Sequence, residues 1–189
     1  MKIRKIVSFV VCLVCAWSLS GCLSTEYKEY SFSINEDGSG TGNIKFINIV
    51  SEQDEGEDVV AEDFDSLING YLNGQDFENE NPNYNVTEKK LYEEEKQLVG
   101  EVSFTFDDIE RIGFYRYKSL SSSPFMFYMG NITEIVESTN GEWEGAAKDF
   151  PIIVWEPGTT ELNFRTKAQQ DMSNTTPLLM HYLRWERHQ

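Results

Sequence analysis

YKEYSFSINEDGSGTGNIKFINIV, residues 27–50, decides the fold. Tyr30, Phe32 and Ile34 alternate with Ser31 and Ser33, the period-two pattern of a half-buried strand. Asn35 to Gly40 follows as a turn, with Asp37-Gly38 as the dipeptide that suits a tight hairpin. Asn43 to Val50 resumes as a strand, Ile44, Phe46 and Asn48 facing one way and Ile47 and Ile49 the other. The stretch predicts a β-hairpin.

Downstream, Ser51 to Asp58 is acidic and runs into Val59 to Leu72. Val60, Phe64, Leu67, Ile68, Tyr71 and Leu72 recur at spacings of three and four, which predicts an amphipathic helix stopped by Asn73-Gly74. Gln75 to Asn83 reads as a polar loop. Tyr84 to Tyr92 and Gln97 to Phe106 read as a second hairpin, turned by the charged Glu93 to Lys96. Asp107 to Arg111 suggests a helical turn, and Phe114 to Tyr117 a short strand or helix end. Further strands are expected at Phe125 to Gly130, Asn131 to Ser138, Pro151 to Trp155 and Glu161 to Lys167. Asn140-Gly141 carries a hairpin signal, with Glu142 to Ala146 pairing back. Thr176-Pro177 suggests a cap and first position for a terminal helix, Leu178 to Arg187. The order argues for a single α+β domain over residues 27–189: a mainly antiparallel sheet, one central-region helix and a C-terminal helix packed against it.

Upstream, Lys2, Arg4 and Lys5 precede an uncharged apolar run, Ile6 to Leu19, that ends in Leu19-Ser20-Gly21-Cys22. The run is shorter than the roughly 20 residues a membrane-spanning helix needs and has the build of a secretory signal. Its end resembles the bacterial lipobox. That resemblance implies removal of residues 1–21, acylation of Cys22 by chains such as palmitate, and a lipidated tether over residues 22–26. Leu23 rather than Asp after the cysteine implies outer-membrane over inner-membrane placement in a diderm cell envelope.

Removing 21 residues leaves 168, enough for one domain with a sizeable core. Without Lys2, Arg4 and Lys5 the chain carries 13 Lys and Arg against 32 Asp and Glu, a formal charge of −19. Such a surface repels nucleic acid, so no nucleic-acid partner is expected. The three cysteines are Cys12, Cys15 and Cys22. With the first two in the signal and the third acylated, the domain has no thiol for a disulfide, a nucleophile or a zinc site.

Other motifs are weak. Asn35 to Phe46 superficially resembles a calcium loop, but Phe46 stands where a bidentate Glu is required, so a hairpin turn is expected. The acidic run Glu52 to Asp65 could gather oxygens about a cation, although its spacing fits a solvated loop better. Carboxylate pairs (Asp107 with Asp108, Glu142 with Glu144, Glu93 to Glu95) are expected by chance in so acidic a chain. His181 and His188 have no serine elbow beside them. Phe125, Phe127, Trp155 and Trp185 are expected in the core, and Trp143 is the best candidate for an exposed aromatic. No catalytic, metal or cofactor site is expected.

A strand soon after the lipid cysteine, the Asp37-Gly38-Ser39-Gly40 turn, then a strand, a helix and antiparallel strands resemble the LppM-type lipoprotein domain. That resemblance implies an α+β domain with lipid or glycolipid binding. The chain departs from it in ending with the charged segment Leu178 to Gln189. The expectation is a non-enzymatic binding module with the membrane as partner through its anchor, and a lipid or envelope protein as ligand. The alternatives are a lipid- or glycolipid-binding domain with an apolar pocket between sheet and helices, and a carboxylate-based carbohydrate-active enzyme.

Overall fold

The computed structural model describes residues 23–52, 59–117, 122–129, 134–145, 151–169 and 171–189. Cys22, part of the acidic run (53–58) and the first residues of the strand expected at Asn131 to Ser138 (131–133) lie outside them.

The first hairpin is the centre of the molecule. β1 (Leu23–Ile34) and β2 (Gly40–Glu52) pair antiparallel, from Ile34 opposite Gly40 to Leu23 opposite Ser51. Gly38, at φ 88°, provides the left-handed step of the turn, and Asp37 Oδ1 accepts the Ser39 N–H at 3.0 Å. The strand thus starts at Leu23, and residues 23–26, expected as a tether, belong to the sheet.

β3 (Asn85–Glu94) and β4 (Gln97–Phe106) form the second hairpin, and β4 also pairs with β2. β5 (Phe114–Arg116), β6 (Phe125–Tyr128), β7 (Glu134–Thr139), β8 (Glu142–Trp143), β9 (Ile152–Trp155), β10 (Glu161–Ala168) and β11 (Thr175–Pro177) complete two sheets. The large sheet runs β3-β4-β2-β1-β10-β7, with β11 on β2; the small one runs β5-β6-β9-β8. Among the described residues every strand pairing is antiparallel. With α1 (Val60–Asp65), α2 (Asp76–Glu80) and α3 (Leu179–Glu186), this is an α+β domain.

One face of the large sheet is covered at two places by separate core clusters. Phe32, Phe104, Leu162 and Phe164 pack against Trp155 and Phe114 of the small sheet. At the other end, Ile49 and Leu98 pack against Leu67, Leu178 and Tyr182. Gly42 makes the first cluster close enough to interlock, because a Cβ there would stand 2.4 Å from the Phe104 ring.

Four local expectations are corrected. Asn48 adopts φ 56°, so the inward side changes parity there and Ile49 lines the same cavity as Ile44 and Phe46 instead of opposing them. The helix from Val60 changes to a π-helical segment at Ser66–Leu72, closed by Asn73 N–H on Ile68 O at 2.9 Å, and the expected loop after it contains α2. Asn140-Gly141 does not fold Glu142–Trp143 back on β7; it is the corner where the chain crosses from the large sheet to β8 of the small one, and Ala146 lies outside the described residues. A Cβ at Gly141 would lie 2.8 Å from Trp155 Nε1, so only glycine lets the corner close on that ring. Thr176-Pro177 caps no helix, because these residues take the edge of β2 that β4 leaves after Ile47. Proline is tolerated at such an edge because it has no N–H to pair. α3 begins two residues later.

Candidate functional site

Between the two core clusters the covered face does not close. A cleft of about 540 Å³ lies there, with the large sheet as its floor and the helical segment as its roof. Tyr30, Ile44, Phe46, Leu91 and Val102 come from the sheet; Leu67, Tyr71, Leu72 and Phe77 come from the cover. Phe46 and Tyr71 pack against both clusters, which makes them the waist of the cleft. Tyr84 closes another wall, its ring stacked on Phe104 at 4.0 Å. The volume falls in the roughly 300–1,000 Å³ range of small-molecule sites.

The register explains why these side chains meet. Lys28 opposite Phe46 and Tyr30 opposite Ile44 place four inward residues of one hairpin side by side. Wider turns in the π-helical segment bring Leu67, Tyr71 and Leu72 to one side. The cover is held in place by polar contacts: Lys89 Nζ donates to Gly74 O at 2.6 Å and pairs with Glu78 at 2.9 Å. Tyr71 Oη donates to Glu80 at 2.7 Å, and burial followed by that contact pushes its phenol above the ordinary range.

Polar side chains share the lining, and one cluster of them joins β1, β7 and β10. Lys28 Nζ lies 2.5 Å from Glu134 Oε1, and Thr166 Oγ1 donates to Glu134 Oε2 at 2.6 Å. Tyr30 adjoins them, its phenol pushed far up by burial first and by the Glu134 charge second. Thr25, also in the lining, has a buried hydroxyl with no hydrogen-bond partner. The four carboxylates of the lining are all engaged. Glu26 accepts from Asn48, Glu80 from Tyr71, Glu101 from Asn43 and Tyr92, and Glu134 from Lys28 and Thr166.

The residues singled out in the sequence are elsewhere. Asn35 to Ser39 is a hairpin turn flanked by strands. Of the acidic run, Asp63 is buried rather than solvated, and Ser51 donates to it at 2.5 Å. Among the described residues no group of His, Cys, Asp or Glu is arranged to hold a metal ion. Asp108 accepts the Glu110 N–H at 2.9 Å, and neither it, Asp107, Glu93 to Glu95, Glu142 nor Glu144 lines the cleft. His181 packs beside Phe64, and His188 is exposed.

Trp155 and Phe125 are buried as expected. Phe127 is half-buried and lines the cleft, and Trp185 is half-buried against Tyr182. Trp143, expected to be exposed, packs on the first cluster instead, over Gly145, where a Cβ would strike its ring. Among the described residues the exposed aromatics are Tyr115, Tyr117 and Tyr128. The site residues not anticipated are Lys28, Tyr71, Tyr84, Glu134 and Thr166. Lys28 precedes the inward-facing Tyr30 by two, and that alternation is the signal for it.

No family model matches the chain, and neither a curated protein nor a solved structure matches it.

Proposed function

We propose that this chain is a lipid-anchored binding module of the bacterial cell envelope. Its domain holds, without transforming, an amphipathic ligand of the lipid or glycolipid class. The observation that carries the reading is the cleft of about 540 Å³, whose walls set aromatic and aliphatic side chains beside polar ones, among them the cluster Lys28, Tyr30, Glu134 and Thr166. Apolar walls with a few placed polar groups suit a ligand having a hydrocarbon part and a polar part. Carboxylates already committed to hydrogen bonds favour holding over general acid or base work. The LppM-type resemblance implies the same ligand class. Acylation of Cys22 accounts for how a domain of charge −19 stays beside an anionic membrane, since several acyl chains anchor durably.

Native mass spectrometry of residues 23–189, gently purified from a bacterial host, tests the binding reading. A co-purifying mass that organic solvent strips is the expected result; a clean apo mass overturns it. For the anchor, Cys22→Ala should move the chain from the membrane to the soluble fraction, and retention after a salt wash would count against acylation.

A further inference from the structure

The position of Leu23 limits where a ligand can come from. It directly follows Cys22, opens β1 and lines the cleft. Leu23, Ser24 and Thr25 are paired with Ser51, Val50 and Ile49, so no slack separates the start of the domain from the cleft wall. One extended residue spans about 3.3 Å. A glycerolipid on Cys22 is therefore within a few residues' reach of the cleft.

We infer that the cleft is loaded directly from the bilayer in which the chain is anchored, its occupant a phospholipid of that leaflet. The inference rests on the two readings above, acylation of Cys22 and an apolar ligand in the cleft. Its physical basis is the cost of water. Each methylene exposed during transfer costs roughly 0.8 kcal/mol, so a diacyl lipid crossing even a thin aqueous gap meets a steep barrier. A cleft whose wall begins one residue from the anchor removes that gap. The domain's charge gives the short link a second purpose, because a long one would let the domain be repelled from an anionic surface.

The test inserts twenty Gly and Ser residues between Cys22 and Leu23, giving a flexible reach of about 25 Å. Full acylated chain, with and without the insertion, is reconstituted into phosphatidylethanolamine and phosphatidylglycerol vesicles carrying pyrene-labelled phosphatidylethanolamine. The uninterrupted chain should draw label out of excimers faster by on the order of tenfold or more. Both forms should bind a dansylated fatty acid added from water with equal affinity, which also shows that the insertion has left the domain folded. Equal pyrene transfer rates overturn the inference. Label excluded from both acylated forms but taken up by Cys22→Ala places the anchor's own acyl chain in the cleft and overturns it too. Failure of both forms to bind the dansyl probe overturns the lipid-binding reading itself, whereas failure to float with vesicles overturns the anchor.

Discussion

The indole N–H of Trp155 donates to Asn140 Oδ1 at 2.7 Å, and the same oxygen accepts the Asn163 N–H at 2.8 Å. Asn140 Nδ2 donates in turn to Glu161 O at 2.7 Å. One side chain thus ties β9 of the small sheet to β10 of the large one. Asn140→Ala leaves two donors short of an acceptor, one on a ring that is 1% exposed. Unfolding free energy should fall by about 1–3 kcal/mol, read as a lower urea midpoint. Asn140→Asp, which keeps the acceptor, should lose less. Equal midpoints for native and Ala chains would show that the corner is not a tie between the sheets.

The same corner shows where local sequence stops being sufficient. Asn-Gly has hairpin chemistry, and the dipeptide does turn the chain, but the partner strand is chosen by Trp155, which is remote in sequence. The first two hairpins were legible because alternation and turn residues lie within one short stretch. Trp155 was legible as core from its apolar neighbours. Asn48 was not, since no side-chain pattern announces a left-handed residue inside a strand. The cleft was legible only as a pocket between sheet and helices. Its polar cluster joins Lys28, Glu134 and Thr166 through pairing of β1 and β7 on either side of β10, a register that no local pattern encodes.

The turn of the second hairpin stores strain. Glu95 and Lys96 have φ of 50° and 63°, both left-handed, and both side chains are exposed. L-residues other than Asn, Asp and Gly adopt this region at a cost of roughly 1–2 kcal/mol each. The double substitution Glu95→Asn with Lys96→Gly suits a two-residue turn of this hand and should raise stability by about 1 kcal/mol. Thermal unfolding of the pair beside the native chain measures it; an unchanged or lower midpoint would mean that the turn is not strained.

Alkaline pH should unfold the domain through its tyrosines. Tyr30, Tyr71, Tyr84, Tyr92 and Tyr182 are all held above the ordinary value of 10.0, in each case chiefly by burial. For Tyr182, pushed up to about 12, the hydrogen bond to Glu186 adds to it. The folded chain keeps protons that the unfolded chain releases above pH 10. This contribution is therefore complete below pH 10 and is lost as pH rises through the raised values. In Tyr182→Phe, stability should be lower at neutral pH, because the bonds to Leu91 O and Glu186 are gone. Between pH 10 and 12 the variant should then fall less steeply than the native chain. Parallel curves would rule out a contribution from this phenol.

Ligand binding and folding can be separated at the rim of the cleft. Phe46 and Tyr71 are unsuitable probes, since each packs on both core clusters and its loss would loosen the fold. Leu72 lines the cleft from the π-helical segment but is half-buried and belongs to neither cluster. Leu72→Lys sets an ammonium beside the hydrocarbon path, where it can keep its charge in water by reaching outward. Folding stability should change by no more than about 0.5 kcal/mol, as for surface substitutions generally. A ligand's hydrocarbon would lose apolar contact and meet a charge, which should weaken a dansylated fatty acid by roughly tenfold, about 1.4 kcal/mol. Leu72→Met, which keeps volume and polarity, should bind as the native chain does. Titration of probe fluorescence with each variant decides the matter. Unaltered affinity in Leu72→Lys would move the bound hydrocarbon away from this rim. Equal weakening in Lys and Met variants would trace the effect to packing of the cover instead of to polarity in the cleft.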